Sequence, residues 1–144
     1  MKLYETAERH GLIAVFHTGT SGIGAGVRSG IRLDYGRPIY FDEIAVRFPE
    51  LKVVLAHFGW PWTEEALAIA LHKPNVYVDL SGWAPKYIPR VVWDNAKRLS
   101  EKLLFGSDFP LISPQRWLKE FETIPLDGDI KRKIMKDNAE KLLH

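Results

Sequence analysis

The stretch Leu51-Lys-Val-Val-Leu-Ala-His57-Phe-Gly-Trp60 constrains the fold more than any other. Residues 53–56 are apolar without interruption, and His57 and Gly59 follow directly. A run this short and this apolar fits a strand buried on both faces, as in a parallel sheet covered by helices. A histidine at the carboxyl end of such a strand stands where α/β folds place their chemistry. Ile13-Ala-Val-Phe-His17-Thr-Gly19 and Leu103-Leu-Phe-Gly-Ser-Asp108-Phe-Pro110 share the design. Strands ending on His17, His57 and Asp108 therefore make a candidate site at one end of a sheet.

Between these runs the chain reads as helices. Residues 2–10 form the first, with Leu3, Tyr4 and Ala7 on one side and Gly11 as its stop. The strand at 12–17 follows, with Ile13 and Val15 facing inward in phase with His17. Residues 18–37 are rich in glycine, but no Gly-Lys-Ser/Thr follows. They read as a long loop over the strand ends, not a phosphate cradle. Pro38 opens a second helix in which Phe41, Ile44, Ala45 and Phe48 share a face, and Pro49 ends it. After the strand at 53–57, Thr63 reads as the N-cap of helix 64–72, with Glu64 and Glu65 in its first turn. The strand at 76–80 precedes a helix over 86–99, where Ile88, Val91, Val92, Asn95 and Leu99 hold the periodic positions. After the strand at 103–108, Ser113-Pro114 caps helix 114–123, with Trp117, Leu118 and Phe121 on one face. Asp127 or Asp129 starts a further helix with Ile130 and Ile134, and residues 137–143 close the chain helically.

Four strands alternating with helices mean an α/β fold, one parallel sheet with right-handed crossovers. Residues 1–144 read as a single domain of four βα units. That is half of a TIM-type (β/α)₈ barrel, which needs about 250 residues when complete.

Composition narrows the function classes. The 144 residues are 46% hydrophobic and 26% charged, ordinary for a globular domain with a core. A net charge of +2 without clustered Lys or Arg argues against a nucleic-acid partner. The absence of cysteine excludes disulfides and thiolate metal sites. No apolar stretch approaches the ~20 residues of a membrane span, and Met1-Lys-Leu-Tyr-Glu5 lacks the apolar segment of a signal peptide. The expectation is a soluble cytoplasmic domain acting on a small molecule.

Four motifs carry a family resemblance: Val15-Phe-His17-Thr-Gly19, Leu55-Ala-His57-Phe-Gly59, Asn75-Val-Tyr-Val-Asp79-Leu-Ser-Gly82 and Phe105-Gly-Ser-Asp108-Phe-Pro110. The closing Asn138-Ala-Glu-Lys-Leu142 adds to them. Together they resemble the carboxyl-terminal half of the amidohydrolase superfamily. Within it they are most similar to the second amidohydrolase family, the branch that includes aminocarboxymuconate-semialdehyde decarboxylase. The resemblance implies a metal-dependent TIM barrel with one divalent ion, most often zinc. It implies that His17 is the metal ligand of the fifth barrel strand and that Asp108, on the eighth, binds metal and activates the attacking water. His57, on the sixth, is implied to be a ligand or the group that polarises substrate and moves protons. The implied reaction is hydrolysis of an amide, ester or lactone-like bond. Decarboxylation is the nearest alternative, and a non-catalytic half-barrel is the other.

That last alternative arises because the family's remaining ligands form a His-X-His motif on the first strand. This chain has histidines only at 10, 17, 57, 72 and 144, none of them so spaced. His17 and Asp108 would also lie three strand spacings apart, each about 4.8 Å, so only barrel curvature brings them together. The two open strand edges invite pairing. The chain is expected either to be a piece of a longer enzyme or to associate, as a homo-oligomer or with a second half-barrel.

Other residues are weighed both ways. Trp60, Trp62 and Trp83 follow strand ends and either line a pocket for an apolar or aromatic substrate or pack on the barrel rim. Arg28 and Arg32 either pair with a substrate carboxylate or lie in a solvated loop. Asp79 either anchors the following loop or touches substrate. His10 and His72 read as surface residues, and His144 has no assigned role.

Overall fold

Helices and strands alternate through the computed structural model, which describes residues 1–22 and 30–144. The order is α1 (Lys2–Arg9), β1 (Ile13–His17), α2 (Asp42–Arg47), β2 (Lys52–Ala56), α3 (Thr63–His72), β3 (Val76–Asp79), α4 (Arg90–Asp94) and β4 (Leu103–Leu104). Then come α5 (Pro114–Glu122), α6 (Gly128–Arg132), a π-helical turn (Lys133–Asp137) and α7 (Asn138–Leu143). The strands lie side by side as β1-β2-β3-β4, all parallel. This is the four-unit half-barrel that the alternation of the sequence implies.

Register decides which side chains share a face. Val15, Val54 and Tyr77 stand abreast, as do His17, Ala56, Asp79 and Leu104. The opposite face carries Val53, Leu55, Val76, Val78 and Leu103, all buried under the helices in the main core. On the first face α7 covers only the lower part. Its Leu142 packs on Val54 and Leu104, with Ile13, Tyr77 and Ala139 around them, and Lys52 Nζ donates to the Leu142 carbonyl at 2.6 Å. Above that plug the face is open. Val15, expected inward, shares the face of His17 as the alternation requires, yet it is 63% exposed because no further strand among the described residues covers it.

Local chemistry explains the element ends. Gly11 takes φ 61 after α1, while Leu12 N–H reaches the Ala7 carbonyl, the left-handed stop expected there. Tyr4 packs on Phe16 and Phe48, whereas Leu3 is 75% exposed and not on the buried side. The second helix begins as a 3₁₀ turn at Pro38–Phe41 and becomes α-helical only at Asp42. The helix expected over 86–99 shrinks to α4, since Pro89 holds Ile88 extended at ψ 128; its apolar periodicity survives, with Ile88, Val92 and Leu99 buried. Thr63 is the first residue of α3 rather than its cap, and its buried hydroxyl caps nothing. Ser113 does cap α5, accepting from Arg116 N–H at 3.3 Å. In α5 Trp117 and Phe121 are buried while Leu118 is not.

Behind β4, Glu101 accepts from Lys133 and, at 2.8 Å, from Lys141, which holds its carboxyl down to about 2. The depressed folded value means these pairs contribute stability above the unfolded pKa near 4.5, and that the contribution is lost as pH falls through about 2. Glu101→Gln is therefore expected to narrow the stability difference between pH 6 and pH 2 in urea titrations. Because the carboxylate is half exposed, the change is modest. An unchanged pH dependence would show the pairs to be energetically idle.

Candidate active site

The carboxyl ends of the strands gather the ionisable residues. His17 is the last residue of β1, and its ring centre lies 4.9 Å from that of His57, tilted by 59°. His57 is not the last residue of β2. The strand stops at Ala56, and His57 and Phe58 take left-handed backbone at φ 69 and φ 43. Such angles are costly for side chains of this size and persist only where the surroundings enforce them. The fully buried Phe58, packed 5.9 Å from Trp83, supplies that enforcement. Asp108 has the same unusual backbone at φ 61. The strand expected over 103–108 ends at Leu104, because Phe105 N–H turns away to the Ile134 carbonyl. Asp108 thus stands on the loop beyond the strand. All three non-glycine residues with positive φ among those described lie in these two segments.

His17 is held below the usual imidazole range, first by burial and then by the neighbouring His57; hydrogen bonds that the ring donates to the Thr20 and Gly19 carbonyls and the charge of Asp108 work against this. A lowered folded value means that the neutral form is favoured, as a ligand requires. Burial pushes the Asp79 carboxyl up, the Ser81 N–H and O–H bring it down, and Asp108 adds a small upward effect. Asp108 is therefore near enough for its charge to act on His17 and Asp79 alike.

Asp79 anchors its loop, accepting from Ser81 N–H at 2.7 Å. Trp60 and Trp83 face each other with ring centres 5.5 Å apart, and Trp60 is 42% exposed. Trp62 is turned toward Arg37, whose guanidinium lies 6.0 Å from its ring. Arg32 has a protein partner, Asp34, at 3.8 Å. Arg28 lies outside the described residues. His10 and His72 are exposed, as expected.

Two features have no counterpart in the sequence reading. Arg37 grips Glu65 through Nε and Nη2, the shortest contact being 2.6 Å, and so ties the glycine-rich segment to α3. In the same region Gly19 N–H donates to Gly36 and Thr20 N–H to Trp60, both at 2.7 Å. The second feature is the bed beneath His57. A Cβ on Gly82 would stand 2.7 Å from His57 Nδ1, and Gly82 has φ 79. Gly82→Ala is expected to cost the left-handed backbone penalty of about 1–2 kcal/mol plus whatever displacing the imidazole costs. Gly11→Ala, at φ 61 in open space, isolates the backbone part. Equal urea midpoints for the two variants would mean that the imidazole yields freely.

The donors suit a divalent ion in kind: an imidazole biased to its neutral form and a carboxylate. They do not suffice in number, since a catalytic site ordinarily takes three protein ligands. Among the described residues no three His, Cys, Asp or Glu side chains converge, and residues 23–29 contain none of these types.

Known proteins bear on this arrangement. An uncharacterized TIM-barrel protein from Bordetella bronchiseptica is 28% identical, with a TM-score of 0.82 over 99% of this chain and 49% of its own. A dihydroxybenzoic acid decarboxylase from Polaromonas, solved with manganese and 2-nitroresorcinol bound, is 16% identical, with a TM-score of 0.67 over 98% of this chain and 52% of its own. Protein fluG of Emericella nidulans is 29% identical over 97 residues, 61% of this chain and 11% of that protein. The chain thus spans about half the length of the solved structures it matches. The profile of the family described as Amidohydrolase matches residues 1–144, from end to end, and the chain belongs to that family.

Proposed function

We propose that this chain carries the acid–base part of a metal-dependent hydrolase site that cleaves an amide, ester or lactone-like bond. The observation that supports this most is the approach of the His17 and His57 rings to 4.9 Å at one end of the parallel sheet, with the charge of Asp108 acting on His17. In this reading Asp108 takes a proton from the attacking water as its oxygen bonds to the carbonyl carbon. His57 carries that proton on to the leaving group, which takes it up as the C–N or C–O bond breaks and the carbonyl re-forms. Trp60 and Trp83 receive the apolar or aromatic part of a small-molecule substrate, and Arg28 its carboxylate. His17 and Asp108 would be ligands to a divalent ion, zinc in the first instance, which when bound supplies Lewis acidity and acidifies water.

The shortage of ligands gives association a role. A second half-barrel, or a second copy of the chain, meeting the open edge at Val15 would bring further donors. The same shortage favours a second reading, a half-barrel without the reaction. The Polaromonas relative favours a third, loss of CO₂ from an aromatic acid.

Metal content and molar mass of protein purified without chelator test the proposal together. About one equivalent of zinc or manganese per chain or per associated pair is expected. No metal after both are offered, in monomer and associated species alike, would remove the hydrolase reading. With metal bound, ester and lactone turnover against CO₂ release from hydroxybenzoates separates hydrolase from decarboxylase.

A further inference from the structure

Asp79 and Ser81 take no part in the chemistry proposed above, yet both are built into the wall behind His57. Ser81 Oγ lies 3.0 Å from His57 Nδ1, and the Ser81 carbonyl oxygen lies 3.1 Å from the same nitrogen. The Ser81 hydroxyl also favours the charged form of the Asp79 carboxyl, as a donor does, and Asp79 Oδ1 accepts from the Ser81 N–H at 2.7 Å. A hydroxyl has one proton to give. Asp79 receives two donors, the pattern of an ionised carboxylate, so the Ser81 proton points to Asp79 and its lone pairs to His57. The carbonyl can only accept. Two acceptors therefore face one ring nitrogen, and that nitrogen carries the proton.

Two glycines make the room. A Cβ on Gly82 would press on His57 Nδ1, and one on Gly106 would overlap the Asp79 carboxylate and stand 2.8 Å from Ser81 Cβ. Ser81 itself is 7% exposed, so water does not compete freely for these bonds.

We propose that Asp79 and Ser81 are positioning residues for His57: a carboxylate–hydroxyl–imidazole relay holds the ring in its Nδ1–H tautomer and leaves the Nε2 lone pair free for the site. The inference rests on His57 being the acid–base group. Its test reads the tautomer and not turnover, so either idea can fail without the other.

Long-range ¹H–¹⁵N correlation on the full chain, labelled with ¹⁵N-histidine in mildly alkaline buffer where free imidazole is neutral, distinguishes the two tautomers. His57→Gln assigns the signal. The parent protein is expected to show Nδ1–H, and a parent in the Nε2–H form overturns the relay. Asp79→Asn keeps an oxygen for the Ser81 N–H but adds an amide donor. That amide gives to Ser81 Oγ, the hydroxyl swings round to give its proton to Nδ1, and His57 shifts toward Nε2–H. Adding Ser81→Ala to Asp79→Asn restores Nδ1–H, because the carbonyl alone is left. A purely structural Asp79 would not move the tautomer, and an unmoved tautomer in Asp79→Asn overturns the proposal. If Asp79→Asn does not fold, Ser81→Ala alone decides. Loss of an acceptor moves the Nδ1–H proton upfield, and an unmoved resonance overturns the relay.

Discussion

Asp108→Asn is expected to leave the fold standing and to remove turnover by about 10²–10⁴-fold, the range ordinarily lost with a general base. The backbone makes this a clean test. Asp108 sits at φ 61, a conformation that asparagine tolerates as well as aspartate does, so only the negative charge and its proton affinity change. Asp108→Ala would confound the result by adding backbone strain of about 1–2 kcal/mol. The variant also has a readout that needs no substrate. Asp108 works against the forces that lower the His17 value, so removing its charge should move the His17 titration, followed by NMR, to still lower pH. Metal retention should fall with it. Unaltered turnover and metal content would show that Asp108 is not in the site, whatever the family resemblance implies.

The sheet was legible in the sequence because burial on both faces leaves uninterrupted apolar runs, and residues 53–56 are such a run. The runs mark where strands lie but not where they stop. Ala56 ends β2 and Leu104 ends β4 because the chain beyond each leaves the sheet, and apolar residues such as Phe58 and Phe105 continue past both ends to pack elsewhere. Helix ends were legible where a local rule decides, as at Gly11 and Ser113. They were not where a tertiary contact decides: Thr63 has the composition of a cap, but Trp62 precedes α3 in that position. The orientation of β1 could be read, since His17 and Val15 share a face; that this face is open could not, because exposure depends on what else packs there.

The site divides in the same way. His17, His57 and Asp108 announce themselves by following apolar runs. Asp79 ends a strand too and was legible as a loop anchor, but Ser81 does not announce itself, because its part is defined by its distance from a histidine 24 positions away. The one local signal is Gly82 directly after Ser81, a small residue where a strand has just ended, and its meaning appears only once the His57 ring lies against it. The Arg37–Glu65 pair is likewise invisible in spacing, since 28 positions separate its members.

Trp117→Ala is expected to be the most destabilising single change, costing about 3–5 kcal/mol as large aromatic truncations in cores do. Trp117 is fully buried, with ring centres 4.9 Å from Phe105 and 4.8 Å from Phe121, and its Nε1–H donates to the Trp83 carbonyl at 3.1 Å. That loss approaches the whole margin of a small domain, about 5–15 kcal/mol. The location compounds it: Phe105 leads into the segment that presents Asp108, and Trp83 faces Trp60, so α5 holds up both sides of the site through one indole. Trp117→Phe separates the contributions. It keeps the ring packing and leaves the Trp83 carbonyl without its donor, for a cost of about 1–3 kcal/mol. Urea unfolding of the two variants measures both. A loss below about 1 kcal/mol in Trp117→Ala would mean that neighbouring side chains collapse into the space. The loops bearing Trp83 and Asp108 would then need some other support than α5.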